Sequence, residues 1–135
     1  MSKRLVLIDS SIWVSHLSSR PLASARAVQE LLQSDRAAVN PIIRIEVLTG
    51  ARDDAQYAEL DDALRGLHQL PLSEAVLRRA ERLRFELRRR GRVIPVPDML
   101  IASSALTFDC DLLQADQHFT LIAHVTPLKL YRTAR

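Results

Sequence analysis

Four consecutive apolar residues, Leu5–Val6–Leu7–Ile8, run straight into a lone carboxylate at Asp9. A continuous apolar run that stops at a polar break reads as a buried strand, here Arg4–Ile8. Ser10 or Ser11 then caps the helix that follows. A second helix over Leu22–Gln33 leads to a short strand at Ala37–Val39. Asn40 caps a helix whose first residue is Pro41, a position that needs no backbone donor, and Gly50 ends it. Asp53–Arg65 continues helical, and His68–Leu72 is an extended connector or strand. Ser73 and Glu74 open a long helix, Glu74–Arg90, with Val76, Ala80, Leu83 and Leu87 on one stripe and Gly91 at its end. Pro95 and Pro97 bias Ile94 and Val96 toward extended backbone, so the next helix is expected over Asp98–Thr107. Asp111–Gln114 reads as a strand, Gln117–Ile122 as a short helix and Pro127–Tyr131 as a last strand. Strands alternating with helices predict an α/β fold, a three-layer sandwich with a mostly parallel central sheet and helices on both faces.

The 135 residues fit one domain, 1–135, long enough to bury a core without disulfide staples. Cys110 is the only cysteine, which excludes an internal disulfide and a multi-cysteine zinc cluster and suits a reducing compartment. The apolar run near the N-terminus is too short for a signal segment, and no stretch approaches membrane-spanning length, so a cytoplasmic protein with no membrane partner is expected. Net charge is only +3, but Lys3 and Lys129 are the sole lysines and the other seventeen basic residues are arginines. Arginine grips phosphate in a planar, bidentate way that lysine does not, which makes nucleic acid a plausible partner.

Four acids occupy positions where solubility alone would not place them. Asp9 sits where a buried strand leaves the sheet. Glu46, within NPIIRIEVLTG, shares a helical face with Ile42, Ile43 and Thr49, while Arg44 points elsewhere. Asp98, within PVPDMLIASSA, falls in a first helical turn on the small, apolar face of Ile101, Ala102 and Ala105. Asp116, within LLQADQHF, follows the apolar pair Leu112 and Leu113. Each has a plain structural role open to it, such as capping a helix or facing its dipole. Together they imply clustered carboxylates with no lysine beside them, and the usual remedy for such repulsion is a hard divalent cation, Mg²⁺ or Mn²⁺. Such a site suits the hydrolysis of a phosphodiester.

The segments LIDSSIW, IRIEVLTG, VPDMLIASSA and LLQADQHF, in that order and spacing, resemble the PIN-domain ribonucleases, and the short format resembles the VapC toxins of type II toxin–antitoxin pairs. The resemblance implies a PIN-like sandwich in which Asp9, Asp98 and Asp116 hold the metal and Glu46 completes the catalytic group of acids. Ser10 matches the family's supporting hydroxyl. It further implies an RNA substrate, a homodimer and a cognate VapB-like antitoxin. Two positions depart from the pattern. Gln114 stands where members usually have Thr or Ser, and His118 where some carry another acid.

Arg78, Arg79, Arg82, Arg84, Arg88, Arg89, Arg90 and Arg92 crowd one helix and its exit, interrupted by Glu81 and Glu86. They form either a solvated face with internal ion pairs or an RNA-binding rim, with Arg78, Arg82 and Arg89 as the candidate contacts. His16, His68, His118 and His124 show no metal-ligand spacing and read as packing or surface residues. Trp13 reads as core. The alternatives to a nuclease are a PIN-fold protein that binds RNA without cutting it and a phosphate-accepting receiver domain. The second fits poorly, since one acid rather than a pair follows the first strand and neither lysine is suitably placed.

Overall fold

Val6, Leu7 and Ile8 form β1 (Val6–Ile8), and all three are fully buried. The computed structural model describes residues 3–16 and 24–133, with Ser15 described by its backbone alone. β1 begins two residues later than the apolar run implied. Both of its partners start level with Val6, which pairs with Ala37 on one side and Asp111 on the other, so the paired register begins there and Leu5 adds only its carbonyl, which accepts from Asp111 N at 3.1 Å. Arg4 turns outward instead and binds Asp111 at 2.6 Å and Asp109 at 3.0 Å.

The chain continues through α1 (Ser10–His16), α2 (Ser24–Gln33), β2 (Ala37–Val39), α3 (Pro41–Thr49) and α4 (Asp54–Arg65) to β3 (His68–Gln69). It ends with α5 (Glu74–Arg89), α6 (Val96–Thr107), β4 (Asp111–Leu113) and α7 (Gln117–Val125). Leu22 and Ala23, expected at the start of the second helix, lie outside the described residues. All four strands are parallel, in the order β3-β2-β1-β4. Helices cover both faces: α1 packs on α2 and α3, and α3 on α4, while α5 packs on α6 and α6 on α7. This is the α/β sandwich that strand and helix alternation predicts.

Besides β1, three boundaries differ from the sequence reading by two residues or more. α6 begins at Val96 rather than Asp98, because the Pro95 carbonyl already accepts from Met99 N at 3.0 Å and Pro97 sits in the first turn, where its missing N–H costs nothing. The expected last strand, Pro127–Tyr131, forms a single bridge, Leu112 with Leu130, flanked by Leu112 N to Lys129 O and Tyr131 N to Leu112 O. Pro127 has no donor to extend that ladder. α7 runs three residues past Ile122, to Val125.

Gly91 stops α5 as expected. Its φ of +78° lets Arg92 N reach Leu87 O and Gly91 N reach Arg88 O, closing the last turn with a left-handed residue. The ends of α2 and α6 make the same turn with aspartates, Asp35 at φ +56° and Asp109 at φ +53°. Each delivers the chain almost directly into a strand, β2 or β4.

Candidate active site

The path of the sheet sets the place where the acids meet. From β1 the chain moves one way to β2 and β3, then returns to the other side of β1 for β4. In parallel α/β sheets the crevice beyond the strands' carboxyl ends, at such a reversal, is where ligands bind. Asp9 follows β1 directly, and its backbone N–H donates to Leu113 O at 3.0 Å, tying the end of β1 to the end of β4. Asp116 emerges three residues after that same Leu113.

Asp9 is 5% exposed. Its carboxylate accepts from the Ser11 hydroxyl at 2.7 Å and from Ser11 N at 3.4 Å, while its carbonyl receives Ile12 N and Trp13 N. The capping of α1 therefore falls to Asp9 and not to Ser10 or Ser11. Burial pushes the Asp9 carboxyl above the ordinary aspartate range, the Ser11 hydroxyl and the neighbouring backbone donors pull it back, and the charge of Asp98 pushes it up again.

Ser10 faces the other way and donates to Glu46 Oε1 at 2.9 Å, joining α1 to α3. Glu46 stands at the rim, with Ile43 and Val47 of the same helix buried beneath it. Its carboxyl is also raised, first by partial burial and then by the charges of Asp9 and Asp98, against the opposing pull of Ser10. Asp9 and Glu46 thus both feel the charge of Asp98.

Asp98 and Asp116 meet through a residue whose spacing had marked it as packing or surface. His118 Nδ1 lies 2.8 Å from Asp98 Oδ2 and 3.2 Å from Asp116 Oδ1. The first turn of α6 carries Asp98, and the first turn of α7 carries His118 with Asp116 as its N-cap, accepting from His118 N at 2.8 Å. Two helix N-termini therefore converge, and both favour negative charge. Asp98, Asp116 and His118 each bring one ligand atom to within 4.8 Å of the other two, the one such group among the described residues. The signal available in the sequence was the pair Asp116-x-His118: an N-cap and the second residue of its helix share one turn.

Gln114, at the position that departs from the family pattern, is used locally. Its side-chain oxygen accepts from Asp116 N at 2.6 Å and so fixes the backbone from which Asp116 projects. The donor set suits a hard divalent cation: carboxylate oxygens from Asp98 and Asp116, an imidazole nitrogen, and beside them a buried carboxylate at Asp9 whose charge is uncompensated by any cationic side chain described there.

The arginines of α5 lie apart from this group. Arg78 pairs with Glu74 and Arg82 with Glu86, both at 2.8 Å, while the Arg82 and Arg89 guanidiniums lie over the Phe85 ring at 5.4 and 5.7 Å. Among the described residues, no hydrogen bond or ion pair links them to the four acids.

A family model described as the PIN domain matches residues 6–125. Ribonuclease VapC11 of Mycobacterium tuberculosis is 31% identical over 129 residues, covering 93% of this chain and 96% of that protein. Ribonuclease VapC19 of the same organism is 30% identical over 122 residues, covering 90% and 97%. Among solved structures, VapBC2 from Rickettsia felis bound to a promoter DNA fragment aligns with a TM-score of 0.78 at 21% identity, covering 94% of this chain and 97% of that one. FitAcB from Neisseria gonorrhoeae aligns with a TM-score of 0.78 at 17% identity, covering 96% and 98%. At these identities the solved structures speak for the fold.

Proposed function

Because the chain belongs to the PIN-domain family, we propose that it is a metal-dependent endoribonuclease and the toxin of a type II toxin–antitoxin pair. The observation that carries this reading is the meeting of Asp98 and Asp116 within one ligand sphere at the carboxyl end of the β1–β4 seam, with Asp9 buried on the same seam. Relatives over almost the full chain bear the name ribonuclease VapC, and the fold neighbours include VapBC pairs, which supports a VapB-like antitoxin as partner. The reading further takes residues 1–135 as one domain that pairs with a second copy and works in the cytoplasm. No helix among the described residues is long and apolar enough to cross a membrane.

In this reading Asp9, Asp98 and Asp116 hold Mg²⁺ or Mn²⁺. When bound, such an ion supplies a water acidic enough to attack at neutral pH and positive charge for the phosphoryl oxygens. The chain's own residues do the rest. Glu46, oriented by Ser10, lies at the open side of the group and takes up a proton there; its raised carboxyl suits that task. Asp9, packed against Leu113 and held by Ser11, is a rigid ligand that need not reorganise. Arg78, Arg82 and Arg89 contact the RNA backbone, which the acidic crevice alone would repel.

The test is cleavage of total cellular RNA by purified protein free of antitoxin, with Mg²⁺, with Mn²⁺ and with chelator. Discrete metal-dependent fragments are expected, with Asp98→Asn slower by a factor on the order of 100 or more. Folded protein that binds RNA but never cuts it would replace this reading with binding alone.

A further inference from the structure

We propose that His118 is itself a metal ligand, and that its Nδ1 makes the site select Mn²⁺ over Mg²⁺. The inference rests on the divalent-cation reading above and deepens it from the ligand set. Nδ1 stands 2.8 Å from Asp98 Oδ2 and 3.2 Å from Asp116 Oδ1. Neighbouring ligand atoms of an octahedron with bonds of about 2.1 Å are about 3 Å apart. Both distances from Nδ1 already match that spacing, and the two carboxylate oxygens lie within 4.8 Å of each other, so one cation can reach all three atoms.

The arrangement is built rather than incidental. Asp116 is fixed on two sides, by its own acceptance from His118 N and by Gln114 holding its backbone N–H. Phe119, the next residue after His118, is 1% exposed and pins α7 to the core, so the imidazole cannot swing far from α6. His118 remains part-exposed, with 31% of its side chain accessible, which leaves the outer side of the group open to solvent and substrate.

A nitrogen ligand discriminates among divalent ions. Mg²⁺ seeks oxygen and keeps its water, so exchanging an oxygen for an imidazole weakens it, whereas first-row transition ions gain from nitrogen. Where a fourth acid would leave an all-oxygen site, His118 leaves a mixed one. It also removes one negative charge from the group, which lowers the attraction for any hard cation in which charge alone decides affinity.

The experiment uses metal-free full-length protein. Mn²⁺ binding is followed by the loss of the free-ion electron paramagnetic resonance signal, with Mg²⁺ as competitor, and bound Mn²⁺ is examined by pulsed methods for coupling to ¹⁴N. Wild type is expected to show directly coordinated nitrogen. His118→Asp should bind Mn²⁺ without that coupling and lose Mn²⁺-over-Mg²⁺ preference by roughly tenfold or more. His118→Gln, close in size, serves if the aspartate variant does not fold. Bound Mn²⁺ with no nitrogen coupling in wild type, or a selectivity unchanged by both variants, overturns the role of His118 and leaves the carboxylate site standing. Folded wild-type protein that takes up no Mn²⁺ at all overturns both.

Discussion

Asn40 is fully buried, and its amide is used at both ends. The oxygen accepts from Ile43 N at 2.9 Å and caps α3; the nitrogen donates to Ser104 Oγ at 3.0 Å on α6. One side chain thus fixes the helix that carries Glu46 against the helix that carries Asp98. Asn40→Ala removes the cap and strands the Ser104 hydroxyl in the core, and should cost about 1–3 kcal/mol in urea unfolding. A loss below a few tenths would show that the link carries nothing. The cap was legible, since Asn followed by Pro after a short strand has that meaning, but Ser104 as its partner was not. The same limit applied to the acids. Each stood out alone by being set against apolar neighbours, while His118 stood out only as a departure from the family pattern, because its contact with Asp98 comes through the docking of α6 and α7. Sequence spacing reports what one element presents and is blind to what two elements bring together.

At the scale of elements, α3 and α4 are held by more than apolar contact. Arg44 bonds Asp61, and Arg65 reaches the same carboxylate at 3.1 Å. These two guanidiniums, Arg44 first, hold the Asp61 carboxyl below its ordinary value of 3.8. A group whose folded-state pKa is depressed stabilises the fold above its unfolded value, and that contribution disappears as pH falls through the folded one. Asp61→Asn should therefore be less stable than wild type at neutral pH, with the two thermal midpoints converging as pH drops below about 4. A gap that stays constant down to about pH 2 would show that the ion pair is not its source. Helix ends show why boundaries were only partly legible. Gly91 announced the left-handed turn after α5, since glycine takes positive φ without strain. Asp35 and Asp109 make the same turn without announcing it, because aspartate serves equally as a cap, a partner or a surface residue. Val96 misled in the opposite direction: the extended bias before a proline gave way once the Pro95 carbonyl opened the first turn.

At the scale of the molecule, the alternation of strands and helices was enough for a parallel sheet, but not for the order of its strands. The pairings of β1 with β2 and β4, and of β2 with β3, set that order, and they rest on contacts between distant parts of the chain. The spread of charge is likewise a property of the whole: acids collect at the carboxyl end of the sheet, and arginines collect on α5. If RNA spans both, the triple variant Arg78→Ala, Arg82→Ala, Arg89→Ala should bind single-stranded RNA more weakly at low salt. Its log affinity should also fall less steeply with log salt, by roughly 0.7 for each phosphate that an arginine no longer neutralises. An unchanged slope would confine Arg78 and Arg82 to their pairs with Glu74 and Glu86, and Arg89 to the Phe85 ring. The position of β1 inside the sheet has one more effect. Translation delivers Asp9 long before Asp116, and the seam that unites them waits for β4. A nascent chain carries no assembled site until β4 has emerged, so if the site cuts RNA, strand order keeps the message that encodes it out of reach until then.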